Sequence, residues 1–281
     1  FGHNLVKQVN FIDCHNLCIK VIIILLRQHF QKFSYQHYIK ITDCYIGVFM
    51  KIGIIGAMDP EVDLLISELK NPKKSDLGFC KFAQGTLEEQ EVIIARSGIG
   101  KVCAGAVTAL MINVYKADVI INTGSAGGIA KGLKVGDTVL SDKVSYHDCD
   151  LTIFGYEIGQ MAAHDRYFMA DADLVEKARK AAEGLKDFSG KIVIGTTLSG
   201  DQFISSPEKK KWLTENFDNA MVTEMEGAAI AQVASDFKVP FLVIRAISDS
   251  AEEGSSITYD EFLPLAAKNS ALLVKALLRE L

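Results

Sequence analysis

Several common signatures are missing from this chain. The apolar run Val21 to Leu26 is six residues between Lys20 and Arg27, far short of the ~20 that a bilayer-spanning helix needs. No small-residue cleavage site follows it, as a signal peptide would require. Cysteine is sparse: six residues are scattered, and the close pair Cys14 and Cys18 has no second pair at zinc-finger spacing. Reduced thiols and a cytoplasmic setting are expected from this usage. No Gly-Lys-Ser/Thr follows a Gly-rich turn, so a P-loop is excluded. Net charge is −5, which offers no basic footprint for nucleic acid. Neither a nucleic-acid nor a membrane partner is expected. His147 and His164 show no metal spacing and no neighbouring nucleophilic Ser, so a hydrolase triad lacks support.

The absences are uneven along the chain. Residues 1–49 contain no Ala, Pro or Glu, yet hold four of the six His and three of the six Cys. Their net charge is +3 against −5 for the whole. Met50-Lys51-Ile52-Gly53 reads as a translation start opening a first strand. Residues 1–49 are therefore expected to be an extension outside the functional domain, and a translated upstream stretch or cloning artefact is the preferred reading. An interaction arm, a targeting segment or a metal site at Cys14, His15 and Cys18 are the alternatives.

What is present lies in residues 50–281, where β-like and helix-like segments alternate. Strands are expected at Lys51 to Ile55, Glu91 to Ala95, Val119 to Asn122, Asp137 to Asp142, Lys191 to Gly195 and Phe241 to Ile244. Helices are expected at Pro60 to Leu69, Lys101 to Tyr115, Asp171 to Gly184, Pro207 to Asn216, Ala228 to Phe237 and from about Tyr259 to the end. No long Pro/Gly linker divides the region. The alternation predicts a single α/β domain with a central mixed or largely parallel sheet flanked by helices. Ligands of such sheets sit at the carboxyl ends of strands. That rule selects Gly56 to Met58, Ser97 to Gly100, Gly124 to Gly128, Ser199 to Ile204, and Ser248-Asp249.

These loops carry the chemistry. Glu224-Met225-Glu226 precedes a helix, and Arg245 with Ser248-Asp249 closes a β-like run. Carboxylates and a guanidinium at such ends suit a site that handles hydroxyls and a proton. Gly53 to Met58 fails the G-x-G-x-x-G spacing of a dinucleotide fingerprint, which leaves a tight strand-to-helix turn. Glu61 falls in the first turn of the following helix, where a dipole role is the plain alternative to a functional one. Thr123 to Gly128 reads as a nest of backbone N–H groups able to approach an anion, a water or a ribose; close strand–helix packing is the alternative. Phe203 can stack on a planar base or belong to the core.

Taken together, seven segments resemble the 5'-methylthioadenosine/S-adenosylhomocysteine nucleosidases of the nucleoside phosphorylase superfamily. They are MKIGIIGAMDPEV (50–62), SGIGKV (97–102), NTGSAGG (122–128), YHDCDLTIFG (146–155), SGDQFI (199–204), TEMEGAA (223–229) and RAISD (245–249). The resemblance runs in order through 50–281 and does not cover 1–49. It implies a nucleoside phosphorylase-like α/β fold and a homodimer. It also implies hydrolysis of the N-glycosidic bond of methylthioadenosine, S-adenosylhomocysteine and 5'-deoxyadenosine, with no cofactor or metal.

The resemblance further implies roles. Glu61 is the base that activates water, and Asp249 the acid at adenine N7, oriented by Ser248. Met225 and Glu226 meet the ribose, Glu226 at its 2'- and 3'-hydroxyls. Phe203 stacks on adenine, the Ile204 backbone bonds its edge, and Gly127 lies by the substrate. Ser125 and Arg245 hold the water. Met58, Ile99 and Tyr259 line the 5'-alkylthio pocket, and Phe154 reaches into the partner subunit's pocket. Met161-Ala162-Ala163 stands where the family commonly has a Pro, which bears on that partner-supplied wall. Glu224 receives no role. The rivals are a purine nucleoside phosphorylase using phosphate, and a non-catalytic binding protein on the same fold.

Overall fold

The computed structural model describes residues 50–185, 188–249 and 255–281, with side chains described from 261 in the last segment. The chain divides into units Phe1–Val48 and Phe49–Leu281. The first lies outside the described residues, and with it the expectations for 1–49.

A ten-stranded mixed sheet organises the second unit. Its strands are β1 Lys51–Gly56, β2 Lys70–Leu77, β3 Cys80–Leu87, β4 Gln90–Arg96, β5 Val119–Gly128, β6 Thr138–Tyr146, β7 Phe168–Met169, β8 Ile192–Ser199, β9 Ala220–Glu224 and β10 Phe241–Asp249. The helices are α1 Asp59–Ser67, α2 Lys101–Asn113, α3 Ala172–Glu183, α4 Pro207–Asn216, α5 Gly227–Asp236 and α6 Ser255–Leu278. A 3₁₀ turn spans Thr152–Phe154. Among the described residues no helix is long and apolar enough to cross a membrane.

The sheet's two faces follow from strand periodicity. Ile52 and Ile54 of β1 and Leu242 and Ile244 of β10 face one core, shared with Val62 and Leu65 of α1 and Leu273, Val274 and Leu277 of α6. Ile55, Ile93, Phe241 and Val243 face the other, with Val107 and Met111 of α2 and Ile230 of α5. Gly53 belongs to this second packing, since a Cβ there would run into Met111 Sδ. Its place in the sequence is thus explained by helix–strand contact, not by a dinucleotide.

Topology places the site. β1, β4, β5 and β10 are parallel neighbours. β6, β8 and β9 form a second parallel group. β10 pairs antiparallel with β6, and the end of β5 pairs antiparallel with β9. The path β5–β10–β6–β8–β9–β5 therefore closes on itself, and several strand ends converge where it does. The register sets Asp249 opposite Gly127, Gly127 opposite Thr223, and Glu224 opposite Ser199.

Three expectations about local structure need correction. The Gly124 to Gly128 nest is not a loop: β5 continues through Gly128, because β10 and β9 pair with it there. Arg245 and Asp249 likewise lie within β10. The hairpin β2–β3, and the short strands β7 and β9, escape the sequence reading. β2 reads KNPKKSDL and is almost wholly exposed, so it has no apolar period to detect.

Candidate active site

Glu61 reaches the sheet from the first turn of α1. Its Oε2 accepts from the N–H groups of Ala57 at 2.7 Å and Met58 at 3.1 Å. Its Oε1 accepts from Ser125 N at 2.9 Å and Ser125 Oγ at 3.1 Å. Part of the expected N–H nest of β5 is thus occupied by a side chain of the protein. Gly124 gives this arrangement its room: a Cβ there would lie 2.6 Å from Glu61 Oε1 and 2.7 Å from Arg245 Nη1. Four donors hold the Glu61 carboxyl in one orientation, which suits an acceptor group.

Arg245 is buried beside it and is surrounded by acceptors. Nη1 donates to Ser125 O at 3.1 Å, and Nη2 to Asn122 Oδ1 at 2.7 Å. Nη2 also pairs with Glu224 Oε2, and meets Glu226 Oε2 at 3.4 Å. Burial opposes the guanidinium charge, but Glu224, Glu226 and Glu61 outweigh it and hold the group above its ordinary range.

Glu224 is the residue that sequence reasoning left without a role. Its Oε1 accepts from Ser199 Oγ. Its Oε2 accepts from Glu226 N at 3.0 Å and Gly227 N at 2.8 Å as well as from Arg245. It joins β8, β9, β10 and the amino end of α5, where a carboxylate is favoured by unpaired N–H groups and the helix dipole. The sequence signal was a carboxylate just before the expected helix Ala228 to Phe237; Ser199 and Arg245 lie too far away in the chain for their bonds to it to be read.

Glu226 accepts from Gly100 N at 2.9 Å through Oε1. Its pKa is pushed up to about 7, first by burial and then by Glu224 and Glu61, with Arg245 and the Gly100 N–H opposing. Asp249 is 1% exposed. Its Oδ1 accepts from Ser248 Oγ at 3.1 Å, and its Oδ2 has no partner among the described residues. Burial raises its pKa; Ser248 and the distant cation Lys210 pull it back only in part. Lys210, on α4, is a buried lysine that the sequence reading passed over.

A recess lies beside these groups, lined by Gly127, Gln202, Phe203, Ile204, Thr223, Glu224, Met225 and Asp249. Five of the expected substrate and catalytic residues are thereby brought together. Ile204 is anchored in a small core with Leu213 and Phe217, while Phe203 is half exposed. Ile99 is 56% exposed beside Gly100, and Phe154 is 75% exposed on its 3₁₀ turn. No described contact places Phe154 at the recess. The side chain of Tyr259 lies outside the described residues. Among the described residues no three His, Cys, Asp or Glu side chains gather as a metal site requires. A wider open recess, between Met169–Ala172 and Lys238–Phe241, lies at the start of β10, away from the carboxylates.

An enclosed carboxyl whose pKa burial raises lines the recess, a second carboxyl is fixed by four donors on the same strand β5 that Asp249 pairs with, and a third lies beside a buried guanidinium. Such a set of groups can serve as proton donor and proton acceptor in one reaction.

Comparison with known proteins agrees in extent and kind. The family model described as "Phosphorylase superfamily" matches residues 51–279. A 5'-methylthioadenosine/S-adenosylhomocysteine nucleosidase of Shewanella halifaxensis is 50% identical over 232 residues, which cover 83% of this chain and 100% of that protein. A crystal structure of such a nucleosidase from Neisseria meningitidis, in complex with methylthio-immucillin-A, is similar with a TM-score of 0.79 and 41% identity, covering 82% of this chain and 99% of that one. A second similar structure, from Colwellia psychrerythraea 34H in complex with adenine, has a TM-score of 0.78 and 46% identity, covering 82% of this chain and 94% of its own.

Proposed function

The chain belongs to the 5'-methylthioadenosine/S-adenosylhomocysteine nucleosidase family of the phosphorylase superfamily, and from that footing we propose that it hydrolyses the N-glycosidic bond of methylthioadenosine and S-adenosylhomocysteine, and also of 5'-deoxyadenosine. Adenine and the 5'-substituted ribose are the products, in methionine salvage and S-adenosylhomocysteine recycling. The carrying observation is a pair of carboxyls set against one strand: Asp249, buried with one oxygen unpartnered, lies opposite Gly127 of β5, and Glu61, held by four donors, is bonded to Ser125 two residues earlier.

Cleavage of C1'–N9 leaves positive charge on the ribose and negative charge on the base. The logic is that of glycoside hydrolysis, with an acid at the leaving group and a water on the other face. Asp249 supplies the proton to adenine N7; its burial favours the neutral acid that the step requires. Glu61 accepts a proton from the attacking water, with Ser125 and Arg245 beside it. Glu226 accepts from the ribose 2'- and 3'-hydroxyls with Met225 against the sugar, and its carboxylate lies near the cationic transition state. Phe203 stacks on the base, the Ile204 backbone meets its edge, and Gly127 lets it approach Asp249.

Met58, Ile99 and Tyr259 form the 5' pocket. Phe154 completes the pocket of a second copy in a homodimer, a reading supported by the exposure of Ile153 and Phe154 at 86% and 75%. The proposed setting is the cytoplasm, with adenine nucleosides as small-molecule partners and no cofactor.

A phosphorylase reading is disfavoured by charge. Arg245 is already paired with Glu224 and Glu226, and Glu61 stands next to it; three carboxylates around one guanidinium repel phosphate. Adenine release from methylthioadenosine, followed with and without phosphate, tests the proposal. Release independent of phosphate is expected; release that requires phosphate refutes hydrolysis.

A further inference from the structure

One carboxylate oxygen outside the groups assigned above bridges two walls of the site. Asp148 Oδ2 accepts from Lys101 Nζ at 2.6 Å and from Asp201 N at 2.9 Å. Lys101 opens α2 immediately after Gly100, whose N–H holds Glu226. Asp201 belongs to the 199–204 segment that carries Phe203 and Ile204. The two segments also meet directly, as Lys101 N donates to Asp201 Oδ1 at 2.9 Å. Gly100 has φ +96, and a Cβ there would press on Asp201 Oδ1 at 3.0 Å. The side chains of Asp148 and Lys101 are 11% and 26% exposed, so this pair is more sheltered than an ordinary surface ion pair, while Asp201 lies at the rim.

The residue before it strengthens the junction. His147 N donates to Ser199 O at 2.8 Å, and Gly200 N to Glu224 O at 3.1 Å. The His147 imidazole lies flush against Gly200, where a Cβ would stand 2.6 Å from Nε2. The base-side segment is therefore held by His147 and Glu224 as well as by Asp148. The ribose-side segment is tied at Ser97 and Gly98 to Gly56 O and Ala57 O, and at its Lys101 end to Asp148 and Asp201.

We propose that Asp148 is a positioning residue for the reaction, fixing the Gly100–Lys101 segment, and through it Glu226, at a set distance from the base-binding segment. The proposal rests on the nucleosidase reading. Misplacement of a positioning group by about 1 Å costs ~10²-fold in rate, and the partial loss expected here is smaller. A ligand that spans both segments should feel the loss; one that occupies the base side alone should not.

The test uses Asp148→Asn, Lys101→Met, Lys101→Arg and the Asp148→Asn/Lys101→Met double variant, with methylthioadenosine turnover and adenine binding as readouts. Each disrupting single change is expected to lower kcat/KM by ~10–50-fold, chiefly through KM, while the adenine Kd moves less than about 3-fold. Lys101→Arg should keep most activity. The double variant should lose about as much as the worse single one, because both remove one contact. Losses that multiply, adenine binding that weakens in step with KM, or single variants that match wild type overturn the proposal. Wild-type turnover in the same assay tests the nucleosidase reading separately, so the two can fail independently.

Discussion

Arg245 and Glu224 form an ion pair with side-chain exposures of 1% and 3%, in the wall of the cleft. Glu224 thereby shares the guanidinium with Glu226, whose own contact with it is the longer one at 3.4 Å, and under the proposed function this leaves Glu226 able to receive ribose hydroxyls.

Removing Glu224 should therefore cost both stability and binding. Truncating one partner of a buried pair typically costs about 3–5 kcal/mol. Glu224→Ala is expected to lower the Tm by several degrees, and Glu224→Gln by less, since Gln keeps an acceptor for the α5 N–H groups. Both should raise KM for methylthioadenosine, because Arg245 then competes for Glu226. Thermal melts and steady-state kinetics check this; an unchanged KM in folded Glu224→Gln contradicts it.

Gly124→Ala places a methyl between Glu61 and Arg245. Overpacking typically costs about 1–3 kcal/mol, and here it pushes the base off its position. A fall in kcat of ~10²-fold is expected, with adenine affinity held within a few-fold, since the recess around Phe203 is untouched. Equal losses in kcat and adenine binding would place the damage elsewhere.

The pH profile should carry two limbs. Glu226 must be ionised to accept both ribose hydroxyls, so kcat/KM is expected to fall as pH drops below about 7, and binding of adenine alone should lack this limb. Asp249 must hold its proton, so activity falls as pH rises past its elevated value. Lys210 opposes that rise, and Lys210→Met should move the loss of activity to higher pH. Stability has a matching signature. A carboxyl whose folded-state pKa is raised contributes stability that is present below the ordinary carboxylate range and lost as pH rises through about 7. Glu226→Gln escapes that loss, so its Tm relative to wild type should improve between pH 5 and pH 8 while nucleoside turnover is lost.

Phe154 projects from its turn and is expected to act on a second copy. Phe154→Ala should raise KM for methylthioadenosine several-fold without lowering the Tm. Sedimentation should give a dimer for wild type. A monomer with full activity refutes the shared pocket.

Much of this architecture was legible in the sequence because it is local. The β1, β4, β5 and β10 segments are short apolar runs, and the polar residues at their ends mark the cleft. Glu61 follows β1 and Asp249 closes β10, while Glu226 was marked by the helix that it precedes. What escaped depends on pairing between distant segments. β5 reads as ending at Asn122, since Gly and Ser are weak strand formers, yet β9 and β10 carry it on to Gly128. β9 is five residues long and is a strand because β5 and β8 flank it. Glu224, Asp148 and Lys210 gain their meaning from partners 21 to 53 positions away. No periodicity reports such contacts.

The opposition of an acid to a base remains the central claim. Adenine release from methylthioadenosine should be measured for wild type, Glu61→Gln and Asp249→Asn, each shown to be folded by its melt. Wild type should release adenine without phosphate, and each variant should lose ~10²–10⁴-fold in kcat. A folded wild type that releases no adenine, or an Asp249→Asn variant at full rate, contradicts the account.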